Sequence, residues 1–155
     1  MITSLTAEQQ SQLSVYADFW IKVGLSCEPI HFDAAVDAVR LAVDCANLIE
    51  NNKMPTHWHY AAGPNEAIKI ARTIRPGMTA DSFLENTIWG QHDADWMAYY
   101  SYMRDEVGVT GLEPVEGLRQ VALNCGWVSI VDNHCIIHDR PLSLKFDEQK
   151  RAHCE

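Results

Sequence analysis

The chain has 155 residues, of which 47% are hydrophobic and 21% charged, and 21 acidic side chains against 12 basic ones give a formal charge of -9 at pH 7. A chain of this length suits one domain and buries a core without covalent staples, and its composition is far from that of disordered proteins. Acidic groups spread along the whole sequence repel a phosphate backbone, which argues against DNA or RNA as a direct partner.

Thr6 and Gln9 have the spacing of a capping box, in which the hydroxyl covers an early amide and the side-chain amide reaches back, so a helix is predicted from about Ala7. Leu13, Tyr16, Trp20 and Val23 line one face of it, and Gly24 closes it as a residue that tolerates positive φ, ahead of the extended Glu28-Pro29. From Phe32 to Ile49 the residues Phe32, Ala35, Val36, Val39, Ala42, Val43, Ala46 and Ile49 form the clearest amphipathic stripe in the chain. Asp33, Asp37, Arg40, Asp44 and Asn47 fall on the opposite, solvated face, where Arg40 can pair with Asp37 or Asp44. Thr56 to Tyr60 reads as a short extended segment with Trp58 and Tyr60 toward the core and His57 and His59 toward solvent.

Pro64 at a first-turn position opens a third helix that Pro76-Gly77 ends, and another helical piece covers Ala80 to Ile88. Trp96, Tyr100, Met103 and Val107 then recur at four, three and four residues in a helix running to Gly108, and a last helix spans Pro114 to Asn124. Trp127 to Val131 and Cys135 to His138 are β-favouring runs joined by Asp132-Asn133, which suits a tight turn. Leu142 to Phe146 alternates as a third strand, with a turn from Asp147 to Lys150 and a short return over 151–155. The expected fold class is α+β in a single domain over 1–155, with a mainly helical body over about 6–125 and a small C-terminal antiparallel β meander over about 127–155.

The five cysteines, Cys27, Cys45, Cys125, Cys135 and Cys154, are odd in number and form no C-x-x-C pair, so no disulfide framework is indicated. The N-terminal residues lack the basic region and apolar run of a secretion signal, and no stretch approaches the length of a membrane span. A cytoplasmic protein without membrane association is the natural expectation.

The densest run of unusual side chains is Trp89-Gly90-Gln91-His92-Asp93-Ala94-Asp95-Trp96. It combines large apolar rings with groups that must be hydrogen-bonded or solvated, both costly to place in one short stretch. Asp93 and Asp95 are poor candidates for paired catalytic carboxylates, because residues two apart on a helix diverge by about 200°. The economical reading has one of them capping the following helix at the positive end of its dipole and the other in solvent. Gln91, His92 and one Asp beside the rings of Trp89 and Trp96 can still bind a polar ligand against an aromatic wall. Arg140 sits between the two later strands, where it can pair with Asp139, Asp147 or Glu148 or grip an anionic ligand, and Trp127 is expected to anchor the sheet on the helices.

His57 and His59 point the same way on a strand, but no third metal ligand is specified by spacing. His134, Cys135, His138, His153 and Cys154 make a second collection, in which Cys135 and His138 fall on opposite strand faces. Both groups read most simply as satisfied or exposed side chains, with no metal and no cofactor implied. A G-x-S-x-G elbow, a phosphate-binding glycine loop and an H-E-x-x-H helix are all missing, which lowers the weight of the common enzyme classes.

Gly24-Leu25-Ser26 with Glu28-Pro29, then Trp89-Gly90-Gln91-His92-Asp93-Ala94 with Trp96, then Gly126-Trp127, then Arg140-Pro141 with Asp147 and Arg151-Ala152-His153, together resemble an uncharacterised bacterial domain family of unknown function. The resemblance covers most of the chain and implies a shared fold and shared exposed residues, but no reaction. Two departures stand out: the family pattern continues past the last motif into a glycine-containing extension, so this chain resembles a shortened version, and the proline near Trp58 is Pro64 after Gly63 in place of a nearby Ser-Pro.

The leading functional expectation is a small binding or protein-interaction module. It would use Trp89, Gln91, His92, Asp93 and Trp96, with Arg140, for an unknown protein partner or a small polar ligand. The rival is an enzyme with His92 as acid or base, assisted by Asp93 or Asp95, which requires these groups to converge in a concave pocket.

Overall fold

A computed structural model describes residues 4–46, 53–146, 148 and 152–153 and shows an α+β fold. In chain order the elements are α1 (Ala7–Gly24), α2 (Phe32–Ala46), β1 (His57–Ala61), α3 (Pro64–Ile74), α4 (Ala80–Glu85), β2 (Thr87–Ile88), a 3-10 turn (Gly90–Asp93), α5 (Ala94–Asp105), α6 (Glu113–Asn124), β3 (Val128–Val131), β4 (His134–His138), β5 (Lys145–Phe146) and β6 (Ala152–His153).

The β3–β4 hairpin forms as expected, turning at Asp132 with φ 55°. The sheet around it is mixed, in the order β1-β4-β3-β2, with β1 parallel to β4 and the other pairs antiparallel. The expected meander is therefore corrected in its pairing: β5 does not extend the hairpin but pairs with β6 in a separate two-stranded sheet. The reason lies in β4, whose Cys135, Ile136 and Ile137 are all buried and so need cover on both faces and a neighbour on both edges. Strand β1, drawn from the first half of the chain, supplies the second neighbour. Asp147, Arg151, Cys154 and the 149–150 turn lie outside the described residues.

One sheet face carries Trp58, Ile88, Val128, Ile130, Cys135 and Ile137 and packs on α2 and α6. The predicted stripe of α2 is realised, with Ala35, Val36, Val39, Ala42 and Val43 all buried, while Asp33, Asp37, Arg40 and Asp44 are exposed. Arg40 pairs with Asp37 at 3.3 Å and lies 5.3 Å from the centre of the Trp58 ring. Ile49 and the end of that stripe lie outside the described residues. Helices α2 and α6 approach closely because Gly117 has no side chain: a Cβ there would stand 2.3 Å from the Ala42 Cα. The other sheet face, with Ala61, Val131 and Ile136, is covered by Ala67 and Ala71 of α3, Met78, and Phe83 of α4.

Helices α1 and α5 form an outer pair held by Trp20, Ala94 and Met97, with Ala122 of α6 beneath them. The capping box at Thr6 and Gln9 is present. Three expectations are corrected in this region. Gly24 does not take a positive φ; α1 runs through it, and the Leu25 N–H closes the last turn on Ile21 O at 3.0 Å. The helix expected to reach Gly108 ends at Asp105; it buries Ala94, Met97, Ser101 and Tyr102 and leaves Trp96 exposed, because Ala94 lies close to Gly24 of α1. The predicted helix to Ile88 stops at Glu85, since the β-branched Thr87 and Ile88 pair with Ser129 and Val128. Similarly, Tyr60 is 46% exposed instead of facing the core.

Candidate functional site

The Trp89 to Trp96 run is placed by its glycine. Gly90 takes φ +54°, and a Cβ on it would stand 2.1 Å from the Gly126 carbonyl oxygen, which also accepts the Gln91 N–H at 3.0 Å. The 3-10 turn is thereby laid directly on the α6–β3 junction. From there the Gln91 side chain, 3% exposed, donates through Nε2 to the carbonyl oxygens of Val23 at 3.1 Å, Gly24 at 3.0 Å and Ser26 at 2.7 Å. These carbonyls lie at the end of α1 and in the loop after it, where the helix no longer supplies its own donors; Val23 O also accepts the Ser26 N–H at 3.2 Å.

Arg140 acts on the same connector from the other side. Its guanidinium donates to Leu123 O at 2.5 Å and Ser26 Oγ at 3.3 Å, so it ties the end of α6 to the loop after α1 through neutral oxygens, while Asp147, one of its expected partners, lies outside the described residues. The neighbouring Asp139 carboxylate accepts the Ile30 N–H at 2.9 Å and the Tyr60 hydroxyl at 2.5 Å. Burial works against the Asp139 anion, but these hydrogen bonds and Arg140 hold its carboxyl below the usual range. The early, middle and late motifs thus meet in one knot around residues 23–30.

Asp93 occupies the N-cap position of α5 but its side chain makes no capping bond, which corrects the expected cap. The 3-10 turn runs straight into α5, so Asp93 has φ -85° and ψ 14° rather than the extended backbone from which a cap side chain reaches the next turn. Burial, and secondarily the charge of Asp95, raise its carboxyl above the ordinary value against the opposing influence of His92.

His92 is exposed and its Nδ1 accepts the indole N–H of Trp127 at 2.5 Å. An indole nitrogen can only donate, so the neutral imidazole carries its own proton on Nε2 and presents a donor to solvent. Trp89 stands edge-on to Trp127 with centroids 4.8 Å apart. Trp96 is 59% exposed.

Beside the knot runs a groove of about 470 Å³ lined on α1 by Ala17, Trp20, Ile21, Gly24 and Leu25, and on the other wall by Gln91, His92, Ala94, Asp95 and Ala98. The cluster is divided by this surface. Gln91, His92 and Asp95 reach it, whereas Trp89, Asp93, Trp96 and Arg140 are not among its lining residues. Gln91 presents an amide nitrogen already committed to three carbonyls. The groove wall on α1 escaped sequence reading, although Ile21 and Leu25, apolar residues off the buried stripe, were a signal of it.

A Ser-His contact lies elsewhere, on the covered sheet face. The Thr87 hydroxyl donates to Phe83 O at 2.9 Å, Thr87 Oγ1 and Ser129 Oγ are 2.7 Å apart, and Ser129 Oγ is 3.0 Å from His138 Nε2. Since the Thr87 proton is committed to a carbonyl, Ser129 must donate to Thr87 and His138 Nε2 must donate to Ser129. The serine proton therefore points away from the imidazole, the reverse of an activated nucleophile. Burial pulls the His138 imidazole down to about 4 and pushes the Cys125 thiol up to about 12, which marks both as neutral interior groups. Cys27, Cys45, Cys125 and Cys135 are free thiols.

No family model, curated protein or solved structure matches the chain. Among the described residues no helix is long and apolar enough to cross a membrane. The candidate site therefore speaks through its geometry.

Proposed function

We propose that the chain is a small binding module whose receiving surface is the groove between α1 and α5, and that it takes the apolar side of a basic amphipathic segment of a partner protein. The observation that carries this reading is the groove itself, whose lining is apolar apart from Gln91, His92 and Asp95. Its lining includes Ile21 of α1 and Leu25 just after that helix, which are 56% and 48% exposed, and α1 itself buries only Trp20. Apolar side chains held in solvent along a concave surface favour association with another apolar surface. The formal charge of -9 and the Asp95 carboxylate on the groove wall favour a basic partner over an acidic one. The acid–base reading keeps His92 and Asp95 on the same groove, but Asp93 does not line it and the His92 Nδ1 is engaged by Trp127, so the apolar walls favour binding over proton transfer.

The test uses two synthetic helical peptides with the same leucine stripe, one bearing lysines and the other glutamates on the opposite face, titrated into isotope-labelled protein. The lysine peptide is expected to shift the amide resonances of Ile21, Leu25, Asp95 and Ala98, and Ala98→Trp, which fills the groove, is expected to abolish the shifts. Shifts centred elsewhere, or none with either peptide, overturn the proposal.

A further inference from the structure

Strand β1 runs parallel to β4 with His57 opposite His134 and His59 opposite Ile136, so the three imidazoles of His57, His59 and His134 project from one face of the sheet. The His134 ring lies 4.4 Å from the His57 ring and 5.1 Å from the His59 ring, centroid to centroid, with planes inclined by 19° and 20°. His59 Nε2 and His134 Nδ1 are 2.8 Å apart.

We propose that His57, His59 and His134 form a binding site for a divalent transition-metal ion of borderline softness, of the zinc and cobalt class. Two imidazoles that share such an ion at about 2.0–2.1 Å, with a bond angle between about 90° and 110°, have ring centres roughly 4.5–5.2 Å apart. The His59–His134 spacing of 5.1 Å lies in that range and the His57–His134 spacing of 4.4 Å falls just below it. The rings are stacked rather than aimed at a common point, and among the described residues no set of such side chains converges as it stands. Rotation of the rings about their side-chain torsions is therefore the step that closes the site. His57 is exposed and His59 and His134 are half-buried, which leaves room for it and a path from solvent.

The surroundings suit this donor set. His57 Nδ1 lies 2.9 Å from Thr56 Oγ1, which also accepts the Asn133 side-chain N–H at 3.0 Å. With Nδ1 donating to Thr56, the His57 ring keeps its Nε2 lone pair for an ion, the arrangement in which an outer hydroxyl orients a ligating imidazole. Three neutral nitrogens with a fourth position open to water select zinc-like ions and not magnesium or calcium, which require oxygen ligands. Sequence spacing specified only the H-x-H half of this set.

The test is a titration of the full chain with cobalt(II), followed by visible absorption. One equivalent is expected to bind and give the d–d bands of a four-coordinate site without thiolate charge transfer. His57→Ala and His134→Ala are each expected to weaken binding by roughly tenfold or more, while His31→Ala leaves it unchanged. His57 is exposed, so its variant keeps the fold, as circular dichroism will show. Absence of binding, a thiolate band, or undiminished binding by either variant overturns the proposal.

Discussion

The Gln91 side-chain nitrogen and the Ser26 carbonyl oxygen are 2.7 Å apart, and the same nitrogen reaches the carbonyls of Val23 and Gly24. The middle of the chain thereby closes the end of its first helix. Gln91→Leu keeps the size but removes the side-chain donor from these carbonyls, of which Val23 O retains the Ser26 N–H, and it is expected to cost about 1–3 kcal/mol in urea unfolding. Gln91→Glu is expected to cost more, because it places a carboxylate among carbonyl oxygens.

Ile21→Ser and Leu25→Ser act on the groove and not on the knot. Both side chains are about half exposed, so each substitution is expected to change unfolding free energy by no more than about 0.5 kcal/mol. Each is expected to weaken the lysine-peptide titration several-fold. The contrast with Gln91→Leu separates the receiving surface from its scaffold.

Gly117→Ala tests the α2–α6 contact through the sign of its effect. Helix propensity alone predicts a gain of about 1 kcal/mol for alanine inside a helix. The added Cβ would meet the Ala42 backbone at 2.3 Å, so a lowered melting temperature is expected instead.

His138 sets a pH dependence. Its imidazole titrates at about 4 in the folded chain against 6.5 for the ordinary side chain, owing to burial. The unfolded chain therefore takes up a proton as pH falls through 6.5 while the folded one does not. Its stabilising contribution is complete above pH 6.5 and is lost down to about pH 4. Urea unfolding at pH 7 and pH 4.5 is expected to show a loss of at most about 3 kcal/mol from this group. In His138→Met that part of the loss is expected to disappear.

Local patterns carried the α-helical elements. The capping box at Thr6, the stripe from Phe32 to Val43 and the proline at the start of α3 act through neighbours a few residues away, and all three are present. The β3–β4 hairpin was legible for the same reason. The parallel β1–β4 pair was not, because its partners stand 77 residues apart and no local rule joins His57 to His134. The exposure of Trp96 was not legible either, because the fit of Ala94 to Gly24, distant in the chain, sets which side of α5 is buried.

The amino-acid sequence by itself determined the α+β class, the position of most helices, the hairpin and the prominence of the Trp89 to Trp96 run. Those features follow from backbone propensity, capping and short-range hydrophobic period. Only the tertiary structure decided what the run does, turning Gln91 inward to the α1 carbonyls, leaving His92 and Asp95 on a groove, and bringing a third imidazole beside His57 and His59. Hydrogen-bond satisfaction and close backbone approach act between segments distant in the chain, so a motif can name its residues without saying whether they serve a ligand or the fold.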